Sequence, residues 1–201
     1  MAVDQWNHNA HYYPLVLDEV PEGCAEALDV GCGDGRLARE LAGRAQRVTG
    51  IDRDPGMIGA ARERADSPGL SFVEADFLEF HDESRAAGYD FISSVAAIHH
   101  MEFAAAVGSM VRLLAPGGRL VIVGLARNRT PLDWAAALAG LPAHQVRARR
   151  HGGCGDAPGM PVRDPDMSWG QVRRAAEHLL PGSRFRRHLL WRYSLTWQKP
   201  G

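Results

Sequence analysis

Residues 27–36 read Ala-Leu-Asp-Val-Gly-Cys-Gly-Asp-Gly-Arg, a short apolar run that ends in Asp29-x-Gly31-x-Gly33-x-Gly35 and then turns helical. That is the pattern of a strand passing through a glycine turn into a helix, the usual seat of a nucleotide-like ligand in an open α/β sheet. Glycines at such a turn let the backbone approach a ligand that any Cβ would hold off, and they accept positive φ at low cost. The spacing narrows the ligand. A dinucleotide fingerprint G-x-G-x-x-G would place its third glycine at position 36, which is Arg36. A P-loop would require Gly-Lys-Ser/Thr, and no such triplet follows. Asp52 closes another apolar run about 20 residues beyond the turn, the spacing of an acid that binds a ribose. An alternative duty for Asp52 is to cap the turn at Asp54-Pro55. Further along, Asp76 can accept from an amino group, and His99 and His100 carry imidazoles able to take up a proton near neutral pH.

These residues need a scaffold, and strand and helix signals alternate from residue 27 to 125. That alternation predicts parallel strands joined by helical crossovers. Beyond the first strand, the segments 46–52, 70–77 and 89–95 read as strands two to four, and a fifth follows Pro116-Gly117-Gly118. Helices are expected over 36–43, 55–65 and 103–114, the second opened by Asp54 as N-cap and Pro55 at the first helical position. A short amphipathic helix over 14–20 precedes this core. Beyond it, 132–141 reads as helix, 142–167 as irregular, and 168–180 as a helix with Ser168 as N-cap. Residues 185–189 and 192–198 then supply two short strands.

Composition bounds the reading. The chain has 201 residues, enough for one domain with a sizeable core. A net charge of −1 argues against a large nucleic-acid or anionic-membrane surface, and the apolar runs are of strand length, too short to span a bilayer. Three scattered cysteines and the lack of a secretory signal fit a cytoplasmic protein. His151 and Cys154 have a metal-like separation but no second pair nearby, so no metal site is expected. Arg147, Arg149 and Arg150 are read first as a solvated face, with an acidic substrate group as the alternative partner.

The G-x-G-x-G led by an acid resembles motif I of the class I S-adenosylmethionine-dependent methyltransferases. Asp52 at the second strand end, Asp76-Phe77 at the end of the third, Ala96-Ala97-Ile98-His99-His100 after the fourth and the 113–123 block extend the resemblance over residues 25–125. The segment at His99-His100 is similar to that of the family's small-molecule branch, the methyltransferase type 11-like one. The resemblance implies a Rossmann-like, doubly wound, mostly parallel seven-stranded sheet with an antiparallel strand near the C-terminal edge. It implies a single domain, divided into an N-terminal lid over 1–24, a cofactor core over 25–125, a substrate-lid insertion over 126–167 and a C-terminal helix and strand pair over 168–201. The lid candidates are 6–13, where Trp6 precedes His8, His11, Tyr12 and Tyr13, and about 127–167.

For individual residues, the resemblance implies S-adenosylmethionine as cofactor, with S-adenosylhomocysteine as product. Gly31, Cys32, Gly33 and Gly35 form the cofactor loop, braced by Asp29, and Cys32 is read as a small side chain packed beneath it rather than a redox group. Asp52 would hold the ribose hydroxyls, with Arg53 and Met57 beside the adenosine. Asp76 and Phe77 would meet the adenine, Phe77 through its amide or ring. Val95 ends the fourth strand at the same edge, and Tyr12 or Tyr13 would close over the methionine end. His100, and less so His99, is the candidate base or acceptor-orienting group. The expected reaction is methyl transfer to an O, N or C atom of a small molecule, a secondary metabolite for example, by a monomer or homodimer with no nucleic-acid or membrane partner. A non-catalytic S-adenosylmethionine-binding protein and a peptide or protein methyltransferase are the alternatives.

Overall fold

The computed structural model describes residues 7–81, 88–150 and 164–201. Five parallel strands form in chain order: β1 (Glu26–Val30), β2 (Arg47–Asp52), β3 (Leu70–Glu74), β4 (Tyr89–Val95) and β5 (Leu114–Gly124). A hairpin of β6 (Arg184–Arg187) and β7 (Tyr193–Gln198) completes the sheet, with β7 antiparallel to both β5 and β6. The order is β3-β2-β1-β4-β5-β7-β6, the Rossmann-like arrangement expected, with its one reversed strand next to the edge. Chain order reverses between β1 and β4, so a crevice opens at their carboxyl ends.

Both faces of the sheet are covered, which is why β1 is buried along nearly its whole length. On one face α1 (Tyr13–Leu17), α2 (Arg36–Leu41) and α3 (Pro55–Glu63) bury Val16, Leu37, Leu41 and Ile58. On the other, α4 (Phe103–Leu113) and α6 (Trp169–Leu179) bury Phe103, Val107, Met110, Trp169 and Val172. The starts of these helices are chemically fixed. Asp54 accepts from the Met57 amide at 3.0 Å ahead of Pro55, and Glu102 accepts from the amides of Ala104 and Ala105. Ser168 and Gln171 form a reciprocal capping box.

Two expectations need correction. The third strand stops at Glu74, so Asp76 and Phe77 lie past its end. The helix expected to stop at residue 141 continues as α5 (Pro131–Arg150), straight through Pro142. Proline removes one intrahelical hydrogen bond, but the helix is gripped on both sides of it. Upstream, the Ala137 carbonyl accepts from Trp191 Nε1 at 2.9 Å. Downstream, His144 meets His8 at 3.0 Å and Arg147 contacts His11. Trp6, His151 and Cys154 lie outside the described residues.

Candidate active site

The crevice is a cavity of about 320 Å³. Its floor is the turn after β1. The amides of Gly31 and Cys32 both donate to the Ile51 carbonyl, at 2.8 and 2.9 Å, tying the turn to the end of β2. Gly31, Gly33 and Gly35 all have positive φ, at 72°, 54° and 75°. They do different work. A Cβ on Gly31 would lie 2.1 Å from the Ala97 Cβ, and one on Gly35 would lie 2.5 Å from the Phe72 ring, whereas one on Gly33 would meet nothing within 4 Å. Gly31 and Gly35 are therefore close-approach glycines. Gly33 leaves bare backbone along the cavity wall.

Asp52 is oriented by that same backbone. Its Oδ2 accepts from the Gly33 amide at 2.9 Å and its Oδ1 from the Asp54 amide at 3.0 Å. It braces the Asp54-Pro55 turn and it lines the cavity. A carboxylate has about four acceptor sites, so two backbone donors leave capacity for a pair of hydroxyls. Arg53 and Met57 line the same wall. The stretch after β3, the strand next to β2, adds a second wall. Asp76 Oδ1 accepts from the Leu78 amide at 2.9 Å. The Phe77 ring is buried in the core, and the residue also lines the cavity.

Beneath the floor, Asp29 is fully buried and accepts from the Ser93 hydroxyl at 2.8 Å. Burial pushes its pKa up to about 7, the nearby Asp52 adds to this, and the Ser93 hydrogen bond opposes it. Asp29 is tied across to β4 through Ser93 and does not line the cavity. Cys32 is likewise buried, with its Sγ near the Gly33 carbonyl at 3.7 Å. Burial, then the charges of Asp29 and Asp52, hold this thiol well above its ordinary range, so it stays protonated.

The third wall follows β4. Val95 leads into Ala96, a non-glycine residue at φ 55°, and into a 3-10 turn over Ile98–His100. Ile98 is buried and anchors that turn, while His99 and His100 line the cavity with ring centroids 4.1 Å apart. Met101 and Glu102 continue this wall.

The roof comes from both ends of the chain. Tyr13 and Asn9 reach in from the N-terminal strap and Arg192 from the β6–β7 hairpin. Arg192 donates to Asn9 Oδ1 from Nη2 at 2.9 Å and Nε at 3.2 Å. Burial and the charge of Asp29 push the Tyr13 phenol up, so it stays a neutral donor. The structure separates the two tyrosines: Tyr12 turns into the core beside His188, away from the cavity, because consecutive residues of a helical turn cannot share a face. Gly35, Asp29 and Tyr12 are thus supports, and the other residues expected from the sequence converge on the cavity. Asn9 lies within the 6–13 segment expected to cover the site, without having been singled out, and Arg192 was missed; the two stand 183 residues apart and no motif links them. Leu125, just past β5, also carried no signal.

Among the described residues no group of three or more His, Cys, Asp or Glu is placed to hold a metal ion, and no helix is long and apolar enough to cross a membrane.

The model of a methyltransferase domain matches residues 27–118. An uncharacterised methyltransferase of Mycobacterium tuberculosis is 34% identical over 203 residues, covering 97% of this chain and 98% of its own. A ubiquinone biosynthesis O-methyltransferase of Sodalis glossinidius is 32% identical over 137 residues, covering 65% of this chain and 54% of its own. Among solved structures, the N-methyltransferase NodS from Bradyrhizobium japonicum, in complex with S-adenosyl-L-homocysteine, superposes with a TM-score of 0.64 at 21% identity, covering all of this chain and 94% of its own.

Proposed function

The chain belongs to the class I S-adenosylmethionine-dependent methyltransferases, and on that footing we propose that it methylates a small molecule held in the cavity described above. S-adenosylmethionine is its cofactor. The residues fit that group: bare backbone at Gly33, a braced acid at Asp52 with acceptor capacity for a diol, and Asp76 and Phe77 lining the same cavity. When bound, the cofactor supplies a methyl group already activated on a sulfonium.

The observation that carries the reading is the shared cavity. The glycine turn with Asp52, the His99, His100 and Glu102 segment, Asn9 and Tyr13 from near the N-terminus and Arg192 from the β6–β7 hairpin all line it. Its volume, about 320 Å³, is at the small end of the range for small-molecule pockets. In this reading the walls hold an acceptor atom in line with the methyl group and exclude water. Positioning of that kind can supply roughly 7–11 kcal/mol of a barrier. His100, or His99 beside it, takes the proton of an acceptor such as a phenol or ammonium, or orients an acceptor that has none to lose. The relative named for ubiquinone biosynthesis supports a small acceptor.

The test is to incubate the protein and methyl-labelled S-adenosylmethionine with a cell extract split by ultrafiltration. Label is expected in the low-mass fraction. Label confined to protein or RNA would overturn the small-molecule reading and leave the family assignment standing.

A further inference from the structure

Helix α5 is built inside out. The side turned to the body carries small and polar groups. Asp133 is buried and accepts from Arg187 Nη1 at 2.6 Å. A Cβ on Gly140 would lie 2.3 Å from the Leu189 carbonyl, so the hairpin presses directly on the helix backbone. His144 reaches His8 of the strap. The side turned to solvent carries the apolar residues: Leu132 is 81% exposed, Trp134 59% and Leu138 62%, and Leu141 and Val146 are exposed with them. A soluble helix ordinarily has the reverse arrangement, and a contiguous exposed apolar strip marks a surface that something covers.

Charge indicates what covers it. Residues 125–150 hold five arginines and a single acid, in a chain whose overall charge is −1. The acid is Asp133, buried and neutralised by Arg187. Arg127 and Arg129 stand exposed ahead of the strip, and Arg149 and Arg150 stand exposed beyond it. Exposed acids Asp164 and Asp166 stand on the segment beside Arg127, whose amide donates to the Met167 carbonyl. The ridge itself carries a tryptophan, has no exposed acid of its own and runs into Arg149 and Arg150, the chemistry of a helix lying at an anionic lipid interface. A second copy fits less well. A two-fold antiparallel pairing about Leu138 would set Arg149 of each chain opposite Arg127 of the other, like charge against like.

We propose that α5 docks this protein peripherally on an anionic lipid surface. The balanced net charge of the chain hides this local basic strip. Docking would act through the same helix that holds the N-terminal strap on its opposite side, and the strap contributes Asn9 and Tyr13 to the cavity. The inference rests on the exposed strip alone and stands whatever the methyl acceptor is.

The test is co-sedimentation of the whole chain with vesicles of phosphatidylcholine and phosphatidylglycerol, and with vesicles of phosphatidylcholine alone. Binding is expected to the anionic vesicles and to weaken with added salt. Leu138→Glu should reduce it by about tenfold or more, since one buried leucine is lost and a charge of the wrong sign is added. Arg149→Glu together with Arg150→Glu should reduce it on anionic vesicles without touching the apolar ridge. Calorimetric S-adenosylhomocysteine binding by each variant checks that the fold is intact. Absence of vesicle binding by the parent, or equal binding by parent and Leu138→Glu, overturns the proposal. So does a parent dimer, by light scattering, that Leu138→Glu converts to monomer while neither binds vesicles.

Discussion

Replacing Asp52 with alanine is expected to weaken S-adenosylhomocysteine binding by about ten- to a hundredfold. The magnitude follows from how the acid is held. Backbone amides at 2.9 and 3.0 Å occupy one acceptor site on each oxygen, fixing the carboxylate plane before any ligand arrives. The remaining sites can take two ribose hydroxyls, and a hydrogen bond to a charged group is worth about 1.5–3 kcal/mol. At about 1.4 kcal/mol per factor of ten, loss of that interaction gives the stated range. Asp52→Asn should be no gentler, because its amide nitrogen would turn a donor toward the Gly33 or the Asp54 N–H. Isothermal titration supplies the affinities, and a 2′-deoxy analogue of the ligand supplies the control. The parent should prefer the ligand with both hydroxyls, and Asp52→Ala should not. An alanine variant that binds within about twofold of the parent, or that still discriminates against the deoxy analogue, refutes the assignment of this acid to the ribose.

Three further outcomes are expected. Gly31→Ala should lower the melting temperature markedly, because its Cβ would fall 2.1 Å from that of Ala97. Gly33→Ala should cost only the roughly 1–2 kcal/mol of a left-handed alanine while still impairing ligand binding, so equal thermal losses in the two would contradict the division of labour. His100→Ala, assayed with the true acceptor, should lower kcat by about 10²–10⁴-fold at unchanged S-adenosylhomocysteine affinity if the imidazole is the base, and full activity removes it from the mechanism. Asp29 has a folded pKa of about 7 against an ordinary 3.8, so the folded chain binds more protons than the unfolded one between those values. This acid therefore makes stability fall as pH rises through about 4 to 7, with no further loss above. Asp29→Asn, which keeps an acceptor for Ser93, should gain on the parent across that window in thermal melts, and a pH-independent difference would show that Asp29 does not titrate there.

Much of this molecule was legible in the chain alone, for a local reason. Strand, glycine turn and helix are set by residues within a few positions of one another, as at Asp29 to Arg36 or Asp54-Pro55, and apolar periodicity fixes which faces meet the core. The acids and histidines that follow each strand lie at one sheet edge because parallel strands all deliver their carboxyl ends to the same side. Asp52, Asp76, His99 and His100 could therefore be assigned to one site without coordinates. Tertiary structure decided what depends on contacts between distant segments. It turned Tyr12 into the core and left Tyr13 at the cavity. It joined Asn9 to Arg192 across 183 residues. It carried α5 past Pro142, where local preference ends a helix, through the grip of His8 and His11 on His144 and Arg147. And it turned Leu132, Trp134 and Leu138 outward, because the inner side of that helix is taken by an ion pair, a backbone contact and the strap. No periodicity in the sequence encodes which side of a helix the rest of the fold will claim.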